Sequence, residues 1–361
     1  MTTMAQYLED PRRKNLAVLG AIAFVALIWA IWSVSHQAME TAPRTIEKRV
    51  FPDLVSEARQ ISHIRIQSKT SRIDVVFKPE RGWVVASHDD YPASFDTIKQ
   101  TVVGLASLTT IEQKTARPDW FHYVDLVAPN DGGNGSEITI SDDKGHVLAS
   151  LIAGKTEDIG DASGAIGLFM RRTGENQSWL VRSVFEPKND ASDWLDKQVM
   201  SIDRTRIAEA DVDPISGPSY VVRRSKATDA DFELMDVPKG REISYPGAPD
   251  GSGAAIVDFS FDDVKPARNF DFSDATHTAR IFTKTFDGLT VVVNVTQLGK
   301  EYWATVSADG ANTDTQKEAR AINAHASGWA YKLPDYKGVQ FTATLESMLK
   351  PKDGAVAAPG H

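Results

Sequence analysis

The chain has 361 residues, of which 42% are hydrophobic and 25% are charged, so it can form two folded domains of ordinary size. Its net charge of -9 argues against a nucleic-acid-binding protein, because phosphate backbones are bound by basic surfaces. The absence of cysteine excludes disulfides, zinc–thiolate sites, iron–sulfur clusters and thiol nucleophiles.

An uncharged apolar segment, LAVLGAIAFVALIWAIWSV, occupies residues 16–34 and directly follows Arg12, Arg13 and Lys14. As a helix it would be about 28 Å long, close to the thickness of a bilayer core. A cleavable signal peptide is the alternative, but its apolar region is usually only about 7–15 residues long. We therefore predict a single transmembrane helix in the bacterial inner membrane. The basic cluster keeps residues 1–15 in the cytoplasm and places the bulk of the chain in the periplasm.

Polar residues 35–53 predict a stalk, and alternating apolar residues follow it. The positions expected to face a core are Ile61, Ile64, Ile66, Ile73, Val75, Phe77, Trp83 and Val85. A turn at Pro79–Gly82 reverses the chain, and His63 alternates outward as a solvated strand residue. This pattern is typical of an antiparallel β-meander.

A helix and two hairpins are predicted next. The spacing of Phe95, Ile98, Val102 and Leu105 indicates an amphipathic helix that begins after Pro92 and Ser94. Turn residues at 143–145 and 173–176 separate two pairs of strand-like segments.

The second half of the chain repeats this order. The second meander is predicted from RIAEADVD, which can pair with SYVVRRSK, and from ADFELMD, which forms the next strand. The helix position is taken by SGAAIVDFSFDDV, although the alternating Phe259 and Phe261 fit a strand equally well. Two more hairpin segments follow, with a tight turn at Asp287-Gly288. We predict an α+β fold of two tandem repeats, residues 54–197 and 198–349, each a β-meander, a helix and β-hairpins.

Three details complete this prediction. Trp194 and Leu195 close the first repeat, Thr315–Ala326 is helical, and the tail from 350 to 361 is disordered.

Five segments of the chain resemble the bacterial envelope family catalogued as domain of unknown function 4340. They are LIAGKT, IGLFMRR, WLVRSVF, DWLDKQVMSI and, much later, WAYKLPDY. The resemblance covers roughly residues 54–349 and implies no chemistry. Members are often encoded beside ABC-type transporters of the gliding-motility kind, which implies a permease or auxiliary subunit as partner. Where the family tends to have a tyrosine before the VR pair, this chain has Leu168, Phe169 and Met170, so a hydroxyl contact is not carried over.

The segment ASLIAGKT ends like a phosphate-binding loop, but Ala149 stands where the loop requires glycine. Leu151 and Ile152 continue a strand pattern. We therefore expect Lys155 to be a surface residue near the end of a strand.

No other motif predicts catalysis or a cofactor. The eight histidines never occur at metal-ligand spacing, and Ser163 lies outside a nucleophile-elbow pattern. The acidic pairs 89–90, 142–143 and 262–263 are adjacent residues, which suits turns better than the carboxylates of a glycosidase cleft. No catalytic, cofactor-binding or metal-binding residue is therefore predicted.

Aromatic residues are the remaining candidates for binding. They cluster at Trp120, Phe121 and Tyr123 and again at Trp329, Tyr331 and Tyr336. Core packing accounts best for most of them, but Trp120 and Tyr123 are the residues that we expect on a partner surface. The leading hypothesis is a non-catalytic accessory or interaction subunit of an ABC-type assembly. A periplasmic module that binds glycan or lipid is the alternative, followed by a hydrolase with dispersed residues.

Overall fold

The structure is a computed structural model that describes residues 48–272 and 278–351. The predicted transmembrane segment 16–34 and its basic cluster Arg12, Arg13 and Lys14 lie outside the described residues, as does most of the predicted tail. None of the helices in the described ranges has the length and apolar character needed to cross a membrane.

Two antiparallel sheets account for the strands of the described residues. The first contains β1 (His63–Gln67), β2 (Arg72–Lys78), β3 (Gly82–Val85), β4 (Tyr91–Pro92), β5 (Thr109–Gln113), β6 (Ser136–Ser141), β7 (Val147–Glu157), β8 (Ile166–Arg172) and β9 (Ser178–Ser183). The second contains β10 (Ile207–Pro214), β11 (Tyr220–Arg223), β12 (Glu233–Leu234), β13 (Asp263–Pro266), β14 (Ala279–Thr285), β15 (Leu289–Leu298), β16 (Glu301–Gly310) and β17 (Trp329–Leu333). The predicted α+β class with antiparallel sheets is confirmed.

Helices are few in the described part of the chain. The α-helices are α1 (Phe95–Ser107), α2 (Asp250–Gly253), α3 (Thr313–Ala326), α4 (Asp335–Phe341) and α5 (Leu345–Met348). Short 3₁₀ helices span Ala58–Gln60, Ala86–His88, Pro118–Val124, Pro129–Asp131, Ala191–Trp194, Arg204–Arg206 and Ala267–Asn269. The helix predicted at Thr315–Ala326 is thus α3, whereas the segment with Phe259 and Phe261 yields only the short α2 before strand β13.

The two sheets share one strand order once β4 is set aside. The first sheet runs β4-β3-β2-β1-β6-β7-β8-β9-β5, and the second runs β12-β11-β10-β14-β15-β16-β17-β13. Each strand of the second sheet therefore has a counterpart in the first, whereas β4 has none. Helix α3, between β16 and β17, likewise has no counterpart between β8 and β9.

Strand β4 connects the two halves. Tyr91 is fully buried, and its ring packs edge-on against Phe261, Trp329 and Tyr331 of the second half, with centroids 5.9, 5.0 and 6.2 Å away. The Tyr91 hydroxyl donates to the Asp196 carbonyl at 3.0 Å and lies 3.0 Å from His325 Nε2. Burial raises the pKa of Tyr91 far above its ordinary value, so the hydroxyl remains protonated.

The segment between the sheets packs on the first half. Trp194 is fully buried, its carbonyl accepts from Ser94 N–H at 2.8 Å, and Leu195 forms an antiparallel bridge with Ala93. The second sheet begins at Ile207. The predicted boundary at 197/198 falls within this connection and remains a prediction.

Helix α1 buries the predicted face except at its first residue. Ser94 caps it by accepting from Thr97 N–H, but Phe95 is 64% exposed and the buried residues include Ile98, Thr101 and Leu105. The Phe95 side chain therefore adds nothing to the core. Phe77, at the end of β2, is also exposed, contrary to the predicted inward face.

The packed part of the chain begins before residue 54. Val50 and Phe51, within the predicted stalk, are buried in the core, and Arg49 bridges to Thr109. Arg172 donates to the Val50 carbonyl and lies over the Phe51 ring. The last residues of the predicted stalk are therefore part of the first half.

Asp74 binds cationic side chains on the outer face of the first sheet. It accepts from Arg65 Nε at 2.7 Å and Arg72 Nε at 2.9 Å, and His63 Nε2 lies 2.8 Å away. His63 is thus paired with a carboxylate, which corrects the expectation of a solvated strand residue. Burial acts to raise the pKa of Asp74, but these hydrogen bonds outweigh burial and hold it below its ordinary value.

Replacing Asp74 by Asn should lower the free energy of unfolding at pH 7 by about 1–2 kcal/mol, a low figure because partial exposure screens the pairs. A carboxylate with a depressed pKa stabilises the fold above its unfolded-state pKa of about 3.9, and this contribution disappears as the pH falls through the folded-state pKa. Urea unfolding at pH 7 and pH 3 should therefore show a difference in unfolding free energy between wild type and Asp74→Asn that is smaller at pH 3. Asp143→Asn, at an exposed hairpin turn, is the control. An equal gap at both pH values would contradict the ionic explanation.

Candidate partner surface

A long connection between β5 and β6 covers part of the outer face of the first sheet. We call residues 114–135 the Trp120 loop. Its 3₁₀ helix Pro118–Val124 begins at a proline and ends at Asp125, which has a left-handed φ of 55°. The corresponding connection in the second half, between β13 and β14, is shorter.

The loop has a small apolar core of its own. Phe121 and Leu126 are buried with Ile152 of β7, and Phe169 of β8 packs against them. Arg171 lies over the Phe121 ring at 4.9 Å and donates from Nε to the Leu126 carbonyl at 2.9 Å. Phe169 is one of the three residues at which the chain differs from the family pattern. Its side chain packs against the apolar core of the Trp120 loop.

Two residues of the segment ASLIAGKT contact the Trp120 loop. They are Gly154 and Lys155. A Cβ atom on Gly154 would lie 2.0 Å from the Val124 carbonyl oxygen, so only glycine permits this close approach. Lys155 Nζ donates to the Tyr123 carbonyl at 2.9 Å. Lys155 is exposed near the end of β7, as predicted, and its ammonium binds a protein carbonyl.

The outer side of the loop presents aromatic rings to solvent. Trp120 is 49% exposed and Tyr123 is 65% exposed. The Arg117 guanidinium lies 5.1 Å from the centre of the Trp120 ring, and the His122 and Tyr123 rings are 3.9 Å apart. We call Arg117, Trp120, His122 and Tyr123 the Trp120 surface. The structure thus brings the two predicted partner residues onto one rigidly supported loop.

The predicted acidic pairs have structural partners. Asp142 accepts from the backbone N–H groups of Lys144 and His146 and thereby closes the β6–β7 hairpin. Asp90 binds Lys78 Nζ at 2.6 Å, and Asp263 Oδ1 lies 3.3 Å from His88 Nε2 across the two halves.

Asp263 has a pKa that reflects this contact between the halves. Burial acts to raise it, whereas the hydrogen bonds from His88 and from Val264 N–H hold it below its ordinary value. The pair accordingly favours an ionised carboxylate facing the histidine.

Other predicted aromatic residues occupy different environments. Tyr331 is buried, Trp329 is partly exposed between the halves, and Tyr336 is 59% exposed. Within residues 48–272 and 278–351, no group of three or more histidine, aspartate or glutamate side chains is placed to hold a metal ion.

Two aspects of the surface were missed by the sequence reasoning. Neither the glycine-dependent approach of the loop nor its attachment through Lys155 was predicted. The only local signal was the density of glycine at 132–135 and at Gly154, since such glycines can mark close approaches of backbone.

Comparison with known families agrees with the resemblance found in the sequence. Residues 83–248 match the family model described as domain of unknown function (DUF4340). This segment is therefore similar to a family whose function is unknown. The match extends from β3 to beyond β12 and therefore includes the Trp120 loop and the connection between the sheets. It is shorter than the range of the sequence resemblance, 54–349. No curated protein and no solved structure matches the chain.

Proposed function

We propose that this protein is a non-catalytic, membrane-anchored accessory or interaction subunit of an ABC-type transport assembly in the bacterial envelope. The Trp120 surface is the observation that carries this proposal. Exposed tryptophan and tyrosine are concentrated at the energetic centres of protein interfaces, where they bury a large area with little loss of side-chain freedom.

The attachment of the loop supports a role in binding. Phe121 is buried beneath the surface, and Lys155 fixes the Tyr123 carbonyl from the side. A loop that is already held in place loses less conformational entropy when a partner binds. The two exposed rings are therefore presented in a preorganised arrangement.

The environments of the acidic pairs support the absence of catalysis in this proposal. Asp142 completes a hairpin, Asp90 pairs with Lys78, and Asp263 faces His88. These three carboxylates thus have structural partners within the chain.

The membrane anchor belongs to the same proposal. It is supported by the uncharged segment 16–34 and the basic residues Arg12, Arg13 and Lys14 before it. The N-terminus then lies in the cytoplasm, and the Trp120 surface faces the periplasmic side of the inner membrane, where a permease or auxiliary subunit would present its external loops.

We further propose that the two halves are tandem copies of one unit. The common strand order supports this proposal, and so does the antiparallel pairing throughout both sheets. The Trp120 loop and β4 would then be additions specific to the first copy.

The partner surface can be tested by affinity capture from carbonate-washed membranes solubilised in mild detergent. Wild-type protein should remain in the washed membranes and capture transporter subunits, whereas the double variant Trp120→Ala/Tyr123→Ala should capture them about tenfold less or worse. Stability should change little because Trp120 is half-exposed and Tyr123 is mostly exposed.

Tyr245→Ala is the matched control for that experiment, because Tyr245 is 62% exposed but lies in the second half. Equal capture by wild type and the double variant would contradict a role for the Trp120 surface. Release of the protein by the carbonate wash would contradict the integral anchor.

A further inference from the structure

A cleft of about 560 Å³ lies between the two halves, on a different surface from the Trp120 loop. The first half contributes Arg81, Asp89 and Asp90 to its lining, and the second contributes Arg268 and Trp329. Its volume is within the range of small-molecule sites, which occur preferentially where two structural units meet.

Asp89 and Asp90 are in an uncommon backbone conformation. Both have left-handed φ angles, 54° and 66°, a region that aspartate tolerates better than most residues. The tight reversal directs the two carboxylates to different partners, with Asp89 Oδ1 3.8 Å from Arg268 and Asp90 Oδ2 2.6 Å from Lys78. Consecutive left-handed residues are a strained feature of the kind that collects at functional sites.

The two arginines are only loosely paired. Arg81 lies 3.9 Å from Asp90, and Arg268 lies 3.8 Å from Asp89, whereas charge-assisted hydrogen bonds are about 2.7–2.9 Å long. Among the described residues, neither guanidinium makes a closer contact with a carboxylate. Their N–H groups remain available to a bound molecule, together with the free lone pairs of Asp89.

The lining favours one class of ligand. The arginines are donors and Asp89 is an acceptor, while Asp90 is already paired with Lys78, so a ligand that both donates and accepts hydrogen bonds fits best. The indole of Trp329 adds an aromatic, partly exposed wall. Hydroxyl groups are both donors and acceptors, and a sugar ring also carries apolar C–H groups that pack on an aromatic side chain.

We infer that this cleft between the halves binds a neutral saccharide, with Trp329 against a sugar ring and with Arg81, Asp89 and Arg268 bonded to its hydroxyl groups. The inference goes beyond the proposed interaction role and does not depend on it, since the cleft and the Trp120 surface share no residue. Because both halves contribute, a bound saccharide would also fix their relative arrangement.

Titration calorimetry on the full-length chain tests the inference. The detergent must lack a sugar headgroup, so lauryldimethylamine oxide is suitable, and the probes are maltose, cellobiose and N,N′-diacetylchitobiose. At least one should bind with a dissociation constant of about 5 mM or lower. Asp89→Asn keeps a residue that tolerates the left-handed backbone, and it should weaken binding about fivefold or more, as should Arg268→Ala.

Asp262→Asn is the matched control, because this exposed aspartate lies outside the lining, and it should bind like wild type. Absence of binding by all three disaccharides at about 20 mM would overturn the inference. Equal affinities of Asp89→Asn and Asp262→Asn would also overturn it. Binding of inorganic phosphate that Arg268→Ala abolishes, without saccharide binding, would assign the cleft to anions instead.

Discussion

Replacing Tyr91 by alanine should lower the free energy of unfolding by about 3–5 kcal/mol, the range expected for removing a fully buried aromatic side chain. The ring has no exposed surface and contacts Phe261, Trp329 and Tyr331 of the second half. Its loss would leave a cavity where the two halves meet, and Trp329 and Tyr331 are held in β17, which limits their movement into it. Equilibrium urea unfolding would measure the change.

The variant Tyr91→Phe measures the contribution of the hydroxyl group alone, because it keeps the ring. It should cost about 1–2 kcal/mol, because the Asp196 carbonyl and His325 lose their partner while the packing is retained. Tyr245→Ala, at an exposed tyrosine, should change stability by no more than about 0.5 kcal/mol. A Tyr91→Ala variant as stable as Tyr245→Ala would contradict a large contribution of the Tyr91 ring to the contact between the halves.

Replacing Gly154 by alanine should displace the Trp120 loop. The added methyl carbon would lie 2.0 Å from the Val124 carbonyl oxygen and 3.0 Å from the Leu126 side chain, which is far inside van der Waals contact. We expect a loss of about 1–3 kcal/mol in unfolding free energy, as for other overpacked sites. Capture of the transporter partner should fall as well, because Trp120 and Tyr123 move with the loop.

Gly251→Ala controls for the general effect of the substitution. A Cβ added at Gly251 would have no heavy atom within 4 Å, and the φ of this residue is not left-handed, so alanine should be tolerated there. Normal stability together with normal capture by Gly154→Ala would show that the loop can shift without consequence, which would contradict its role as a rigid support.

Several elements of the fold could be predicted from neighbouring residues. The β6–β7 and β8–β9 hairpins turn at Gly145 and Gly174, which have left-handed φ angles of 82° and 83°. Gly288 has a φ of 94° at the predicted Asp287-Gly288 turn. Such turns depend on the conformations open to one or two residues, so their position is visible without the rest of the chain.

The two candidate binding surfaces could be predicted from the sequence only in part. Trp120 and Tyr123 form an aromatic cluster that is visible in the sequence, but the burial of Phe121 between them follows from contacts with Ile152 and Phe169 in strands much later in the chain. The acidic pair at Asp89 predicts a turn, and nothing in the sequence indicates that Arg268 lies beside it. Residues far apart in sequence leave no spacing from which such contacts can be inferred.

The sequence by itself determined the antiparallel strands, the main turns, the capped start of α1 and the order of elements in each half, because these follow from alternation and from the preferences of single residues. Only the tertiary structure decided which apolar face is covered and by what. Phe95 is exposed although it fits the apolar spacing of its helix, whereas Tyr91 is buried because rings of the second half pack against it. Periodicity shows that a face is apolar, but the distant residues that pack against it are chosen by the arrangement of the whole chain.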